Sequence, residues 1–169
     1  ISSAASDVYK RQARASVVGG FVGTSNLEAG LLYGIPTVGT SAHSFTLLHD
    51  TEEEAFAAQV ASLGPSTTIL VDTYDIATGV ERAVKAARAA GGELGAVRLD
   101  SGDLVAEAFK VRAQLDALGA TSTRITVTND LDEHAIAALG AAPVDSYGVG
   151  TKLVTGSGRP TAALVYKLV

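Results

Sequence analysis

Residues 95–104 read Gly-Ala-Val-Arg-Leu-Asp-Ser-Gly-Asp-Leu, an apolar run that ends in small and acidic residues just before a helical pattern starts. Further short apolar runs recur along the chain, at residues 35–40, 67–71, 124–128 and 144–147. Runs of about 4–6 residues rich in β-branched side chains are typical of buried parallel strands. Because amphipathic segments separate the runs at intervals of roughly 25–30 residues, the chain is predicted to form an α/β fold with a parallel sheet.

Helix start and stop signals mark the segments between these runs. A residue with a capping side chain precedes each of the main helical patterns: Thr51, Asp75, Ser101 or Asp103, and Asp130. Such side chains accept hydrogen bonds from the first N–H groups of a helix. Helical spacing after Asp103 places a set of apolar residues mostly on one face, namely Leu104, Phe109, Val111, Leu115 and Leu118. An earlier helix is predicted over residues 24–33, closed by Gly34.

Two architectures fit this alternation, an open doubly wound sheet and a (β/α) barrel. No Gly-x-Gly-x-x-Gly follows the first predicted strand, which disfavours the dinucleotide-binding form of the doubly wound sheet. We therefore favour the barrel. A complete eight-unit barrel needs about 250 residues, so residues 13–169 are predicted to form one partial (β/α)-barrel domain of roughly five units.

The ends of the chain and its composition limit what the protein can be. It has 169 residues, no Met and no Cys, and it opens at Ile1, so we expect a part of a longer protein. Residues 1–12 resemble the translated remnant of a sequencing adapter and are predicted to be a non-native leader. A net charge of −5 gives no reason to expect a nucleic-acid partner. No apolar run approaches the roughly 20 residues that a membrane helix needs.

Polar and small residues follow the predicted strands at one end of the sheet. In chain order, the segments after the runs are residues 41–44, 72–75, 100–103, 129–130 and 148–151. The opposite ends carry ordinary turn sequences. Since ligands bind at the carboxyl ends of parallel strands in both architectures, we expect the functional site at this edge.

Arg98 and Asp100 lie on the same face of their predicted strand, because side chains along a strand alternate with a period of two. An unpaired charge facing a barrel interior is costly. Two interpretations remain open. The residues form a structural ion pair, or Arg98 binds an anionic substrate while Asp100 accepts hydroxyl hydrogen bonds or holds Mg²⁺ through water. Asp103 and Asp130 already have a structural explanation as helix caps.

His43 and residues 148–151 each allow a structural and a functional interpretation. His43, just past the first run, is a satisfied polar group or a catalytic residue. Residues 148–151, Gly-Val-Gly-Thr, form a simple turn or bring backbone N–H groups close to a phosphate. His49 and His134 receive no role, and no His/Cys cluster has zinc spacing. The chain also lacks Gly-x-Ser-x-Gly and a Walker-type loop, which disfavours serine-hydrolase and P-loop chemistry.

Six ordered segments resemble the motifs of the nicotinate phosphoribosyltransferases, a family of type II phosphoribosyltransferases. They are residues 19–26 (GGFVGTSN), 39–44 (GTSAHS), 71–75 (VDTYD), 98–104 (RLDSGDL), 129–133 (NDLDE) and 147–151 (YGVGT). The resemblance covers essentially all of residues 13–169. Its specificity comes from the order and spacing of the segments, since any single one would be weak.

The resemblance implies a reaction and a set of roles. Family enzymes join nicotinate to 5-phosphoribosyl-1-pyrophosphate in NAD salvage, giving nicotinate mononucleotide and pyrophosphate, and couple this to ATP hydrolysis through a phosphorylated His. His43 matches that His, and Asp100 would act near the ribose hydroxyls or Mg²⁺. Thr40 and Arg98 would contact nicotinate. The other substrate-binding candidates are Gly148, Gly150 and Thr151 for the ribose-5-phosphate, with Asn129 and Asp130.

The resemblance also implies a cytoplasmic homodimer that acts on small molecules, with neither a nucleic-acid nor a membrane partner. Because the family carries further substrate contacts in preceding segments, the chain alone is expected to be inactive. Alternatives remain: a nicotinamide or quinolinate phosphoribosyltransferase, or a catalytically silent phosphate-binding barrel. A nicotinamide enzyme is expected to have an acid where Ser25 stands, and a quinolinate enzyme to have more basic residues, so nicotinate is favoured.

Overall fold

The computed structural model describes residues 3–155, and side chains over residues 11–153. The chain divides into two compact units, whose main segments are Ile1–Gly39 and Thr40–Leu153. In chain order the elements are α1 (Ser3–Val18), α2 (Leu27–Tyr33), α3 (His43–Leu47), α4 (Glu52–Leu63), β1 (Thr68–Leu70), α5 (Ile76–Ala89), β2 (Ala96–Leu99), α6 (Leu104–Ala117), β3 (Arg124–Val127), α7 (Glu133–Leu139), β4 (Ser146–Tyr147) and α8 (Thr151–Thr155).

The second unit contains a four-stranded sheet in which the strands lie side by side in chain order, β1-β2-β3-β4. All three pairings are parallel. The predicted α/β fold with a parallel sheet is confirmed, and each strand begins within two residues of its predicted start. In this order every helix between two strands serves as the crossover to the next neighbour, so successive strand ends lie at one edge.

The prediction of a strand over residues 35–40 is wrong within the described part of the chain. There, Thr37 forms only an isolated parallel bridge with Thr24, inside the first unit. Pro36 has no N–H to donate to a ladder, and Val38 is exposed. A short apolar run therefore forms a single bridge where the run length alone predicts a strand.

One face of the sheet is apolar, and the other carries polar and apolar residues. Ile69, Val97 and Ile125 pair in register and are fully buried, and Leu99 and Val127 extend the same face. This face packs with apolar residues of α5 and α6 into a single buried cluster. Full burial of a Val, Leu or Ile side chain contributes about 1.5–3 kcal/mol, so the cluster is the main stabilising feature of the unit. The alternate positions carry the polar side chains, together with the buried Leu70 and Ala96.

The helix caps show where local sequence signals succeed. Thr51, Asp75 and Asp103 each accept a hydrogen bond from the backbone N–H three residues on, as predicted. Asp130 does not cap α7, because its left-handed backbone (φ 45) places it in the preceding turn. Asp132 caps that helix instead, accepting from the N–H groups of residues 134 and 135. The hydrogen bond from residue 135 is also the main reason that the pKa of Asp132 is lowered.

Three further differences from the sequence predictions concern helices. Phe109 is 53% exposed, so it lies off the buried face of α6. The helix predicted to start at residue 24 starts at Leu27, where Asn26 caps it, and it ends at Gly34 with φ 63 as expected. α1 (Ser3–Val18) includes residues 3–12 of the segment that was predicted to be a leader. The leader assignment stays a prediction. Within residues 3–155, no helix combines the length and the apolar character needed to cross a membrane.

Candidate active site at the strand ends

Arg98 lies at the centre of a polar cluster on the second unit. Its Nε donates to the Thr128 hydroxyl at 2.8 Å, and its Nη1 donates to the Thr40 hydroxyl at 2.7 Å. Its Nη2 lies 3.2 Å from Asp100 Oδ1. The cluster therefore joins β2 to the residue after β3 and to the segment before α3. These three contacts use three of the five N–H groups of the guanidinium, so two donors remain for an anion.

Asp100 connects this cation to His43. Asp100 Oδ1 accepts from the Thr128 hydroxyl and faces Arg98, while Oδ2 lies 3.6 Å from His43 Nε2. The Arg98 and Asp100 side chains are partly exposed, 21% and 25%. The period-two prediction that both lie on one face agrees with this contact. Because the pair is partly open and reaches a histidine, the geometry favours a ligand site over a sealed structural ion pair.

His43 is the first residue of α3, and both of its ring nitrogens face oxygen atoms. Nδ1 lies 3.0 Å from the Thr73 hydroxyl oxygen, and Nε2 lies 3.9 Å from Asp72 Oδ1 in addition to its contact with Asp100. An ionised carboxylate accepts hydrogen bonds and donates none, so the carboxylates favour the neutral tautomer with the proton on Nε2. In that tautomer Nδ1 carries the lone pair and accepts from Thr73. The ring is 40% exposed and so reachable by a substrate.

Asp72 is a site residue that the sequence analysis missed. Its side chain is 1% exposed, and Oδ2 accepts from the Asp100 N–H and the Ser101 hydroxyl, both at 2.7 Å. Asp72 Oδ1 is buried with no hydrogen-bond partner among the described residues, and it points towards His43. The available signal was position: Asp72 is the first polar residue after a buried strand, as Asp100 is.

Thr128 is the second residue that was missed, and it directly precedes two strained positions. Asn129 and Asp130 are exposed non-glycine residues with positive φ, 100 and 45. Such backbone costs about 1–3 kcal/mol and persists where the surrounding structure fixes it. Between described residues, no hydrogen bond or ion pair links either side chain to Arg98 or Asp100. The turn places them beside the cluster, and their predicted substrate contacts stay predictions.

The glycine-containing segment after β4 reaches the same cluster from the other side. The Gly148 N–H donates to the Val127 carbonyl at 2.8 Å, and a Cβ on Gly148 would overlap the Thr128 methyl group. Gly150 is exposed with open space where a Cβ would stand, and Thr151 starts the short helix α8. Of the three predicted phosphate-binding residues, Gly148 lies in direct contact with Thr128 of the cluster.

A buried glutamine holds the segment that carries Thr40 and His43. Gln59 on α4 accepts from the Ser41 hydroxyl at 2.6 Å and donates to the Thr68 carbonyl of β1 at 2.7 Å. Its amide thus ties this segment to the first strand of the sheet. Motif residues 19–26 lie in the first unit, where the Thr24 N–H donates to the Pro36 carbonyl at 3.0 Å. Over the described side chains, no group of three or more His, Cys, Asp or Glu residues is arranged to hold a metal ion.

The described fold is that of the type II phosphoribosyltransferases. The crystal structure of nicotinate-nucleotide pyrophosphorylase from Pyrococcus furiosus matches it with a TM-score of 0.77 at 28% identity, covering 88% of this chain and 39% of that one. The predicted α/β fold of the type II phosphoribosyltransferases is thereby confirmed, and the barrel itself stays a prediction.

At the level of sequence, the chain is similar to nicotinate phosphoribosyltransferases. It is 59% identical over 165 residues to nicotinate phosphoribosyltransferase pncB1 of Mycobacterium tuberculosis, covering 93% of this chain and 36% of that protein. It is 41% identical to the nicotinate phosphoribosyltransferase of Bacillus subtilis, covering 93% of this chain and 33% of that protein. The resemblance identified from the six motifs is confirmed. The chain spans about a third of the length of these curated relatives, and no family model matches it.

Proposed function

We propose that this chain supplies the strand-end part of the active site of a nicotinate phosphoribosyltransferase. The enzyme would join nicotinate to 5-phosphoribosyl-1-pyrophosphate, releasing pyrophosphate, with ATP hydrolysis coupled to the reaction. The observation that carries the proposal is the cluster in which Arg98 is held by Thr40, Thr128 and Asp100, with His43 on the far side of Asp100. The names of the relatives give the substrates their chemical identity.

Arg98 and Thr40 suit recognition of the nicotinate carboxylate. A guanidinium binds a carboxylate through two parallel N–H groups, which fixes the orientation of the ring as well as its position. Arg98 is held at three nitrogens, and N–H groups remain on its two Nη atoms. Nicotinamide has no charge to meet this cation, so the same geometry favours the acid as substrate.

Asp100 suits stabilisation of the reacting ribose. The pyridine nitrogen would form a bond to ribose C1 while the bond from C1 to the pyrophosphate oxygen breaks, with the electron pair leaving on pyrophosphate. Positive charge develops on the ribose during this step, and a carboxylate placed beforehand stabilises it. Asp100 Oδ2 is the oxygen available, since Oδ1 is occupied by Arg98 and Thr128.

His43 suits phosphorylation by ATP. In the tautomer that the two carboxylates favour, Nδ1 has the lone pair. Once the Thr73 hydroxyl releases this lone pair, Nδ1 would attack the γ-phosphorus while the bond to ADP breaks. Asp72 then acts as the residue that orients the ring and retains the proton on Nε2. Its buried, unpartnered Oδ1 supports this assignment.

Mg²⁺ is proposed as the cofactor, and the residues present fit it. In proteins this ion is commonly bound by one or two carboxylates together with substrate phosphates. Asp100 would supply one such oxygen through Oδ2, since its Oδ1 already contacts Arg98 and Thr128. When bound, the ion would neutralise charge on the pyrophosphate leaving group. A cytoplasmic homodimer is proposed on the resemblance alone.

The test uses the protein expressed at the full length of its gene. It is incubated with 5-phosphoribosyl-1-pyrophosphate, Mg²⁺ and either nicotinate, nicotinamide or quinolinate, with and without ATP, and mononucleotide products are separated by chromatography. We expect nicotinate mononucleotide, formed faster with ATP. His43→Ala should remove the effect of ATP, whereas His134→Ala, at a position 89% exposed on α7, should leave it unchanged. The proposal would be contradicted if quinolinate were the only one of the three compounds to give a mononucleotide, or if none of them did.

A further inference from the structure

Thr128 is the point where two separate parts of the candidate site meet. Its backbone N–H donates to the Leu99 carbonyl at 2.9 Å, which fixes it beside the end of β2. Its hydroxyl lies between Arg98 and Asp100, and its methyl group lies against Gly148. One short side chain therefore contacts Arg98 and Asp100 with its hydroxyl and the glycine segment with its methyl group.

The hydroxyl has a single hydrogen, and the geometry determines how it is used. Arg98 Nε can only donate, so the Thr128 oxygen accepts from it at 2.8 Å. The hydroxyl hydrogen is then available for Asp100 Oδ1, which can only accept. Thr40 and Asp100 hold Nη1 and Nη2. All three nitrogens lie in the guanidinium plane, so the hydrogen bond at Nε adds a third fixed point to that plane.

The methyl group limits the position of the segment after β4. A Cβ on Gly148 would overlap Thr128 Cγ2, so the backbone of Gly148 packs directly on that methyl group. The Gly148 N–H is held by the Val127 carbonyl on the same side. Removing the methyl group would leave a gap under the glycine and let the segment move towards β3.

We propose that Thr128 is a positioning residue with two separable parts. Its hydroxyl orients Arg98 for the carboxylate of the nitrogenous substrate, and its methyl group positions Gly148 for the phosphorylated end of the ribosyl substrate. The assignment of the two substrates rests on the proposed function. The coupling itself rests on the contacts of one side chain.

Two substitutions separate the two parts in steady-state kinetics of the full-length protein. Thr128→Val keeps the branched shape and removes the hydroxyl, so KM for nicotinate should rise about tenfold, since a hydrogen bond to a charged group is lost. Thr128→Ser keeps the hydroxyl and removes the methyl group, so KM for 5-phosphoribosyl-1-pyrophosphate should rise about three- to fourfold. Each variant should leave the other KM within about twofold of the wild-type value. Thr126→Val is the matched control, because the Thr126 hydroxyl pairs with Ser146 instead.

The proposal is overturned if both variants keep wild-type constants, or if both raise the two KM values equally, which is the effect of a general loosening. If the wild-type protein forms no nicotinate mononucleotide, the proposed function has failed. The two positioning roles of Thr128 are then tested by hydrogen exchange measured by NMR. Exchange of the Arg98 Nε–H, assigned with Arg98→Lys, should accelerate in Thr128→Val only. Exchange of the Gly148 amide should accelerate in Thr128→Ser only. The reverse pattern, or no change, overturns the proposal without reference to activity.

Discussion

Replacement of Asp72 provides the sharpest test of how the site is held together. Asp72 Oδ2 accepts two hydrogen bonds, from the Asp100 N–H and the Ser101 hydroxyl. Hydrogen bonds to a charged group contribute about 1.5–3 kcal/mol each, while the buried and unpartnered Oδ1 costs about 1–3 kcal/mol. Asp72→Ala should therefore lower the free energy of unfolding by about 2–3 kcal/mol, a large part of a typical total of about 5–15 kcal/mol.

Asp72→Asn separates this structural role from the chemical one. The amide oxygen can accept both hydrogen bonds, now as a neutral acceptor, so the expected loss is only about 1 kcal/mol. The amide N–H₂ group then stands where Oδ1 faces His43 Nε2. A donor at this position disfavours a proton on Nε2 and shifts it to Nδ1, which removes the nucleophilic lone pair. We therefore expect a folded variant that has lost most of the ATP effect.

Guanidinium unfolding of wild type and both variants, followed by circular dichroism with a shared slope, gives the stabilities. Exposed Asp50→Asn is the control for the chemistry of the substitution. If Asp72→Ala is within about 0.5 kcal/mol of wild type, the two hydrogen bonds do not stabilise the site as argued. If Asp72→Asn keeps the full ATP effect, Asp72 is not the residue that retains the proton on His43 Nε2.

Three further predictions follow from other parts of the structure. Burial of the Glu52 side chain raises its pKa above the usual 4.5, because burial disfavours the charged form. The folded protein therefore binds this proton more tightly than the unfolded chain does. The resulting stabilisation is fully present below pH 4.5 and is lost as pH rises through the raised pKa. Glu52→Gln should therefore gain stability over wild type in thermal melts as pH rises from 4.5. Asn129→Gly should raise the unfolding free energy by about 0.5–1 kcal/mol by relieving the positive φ, and Asn129→Ala should lower it in the same denaturant assay. Gly148→Ala should cost about 1–3 kcal/mol through overlap with Thr128, whereas Gly150→Ala, with open space, should change stability by less than about 0.5 kcal/mol. Equal costs for the two glycines would show that the contact has no energetic weight.

Local patterns account for the parts of the fold that the sequence predicts well. The caps at Thr51, Asp75 and Asp103 depend on a side chain and an N–H only three residues apart, so they can be read without knowing the fold. The cap of α7 was misplaced because Asp130 and Asp132 both have suitable side chains. The left-handed turn at residues 129 and 130 decides between them. Asn and Asp adopt positive φ more readily than other non-glycine residues, but residue type alone does not show which Asp does so.

The site shows a different limit. Arg98 and Asp100 were predicted together because they share one strand and the period of two places them on one face. Asp72 and Thr128 follow the strands on either side of β2, so their contacts with Arg98 and Asp100 depend on the register between strands. A slip of one residue would turn either side chain to the opposite face of the sheet. The pairings of Leu70 with Arg98 and of Leu99 with Val127 set that register, and they are tertiary information.

The order of the strands also sets the order in which the site can form on the ribosome. Each strand of the sheet pairs with the one synthesised just before it. The Asp72 carboxylate accepts hydrogen bonds from the Asp100 N–H and the Ser101 hydroxyl, which are 28 and 29 residues later in the chain. Arg98 donates to Thr128, which is 30 residues after Arg98. At about 5–20 residues per second, the interval between these additions is a few seconds. Each new strand end thus supplies a hydrogen-bond partner for the charged side chain of the strand made before it. The nascent chain therefore need not keep all of these charged groups unpaired until synthesis is finished.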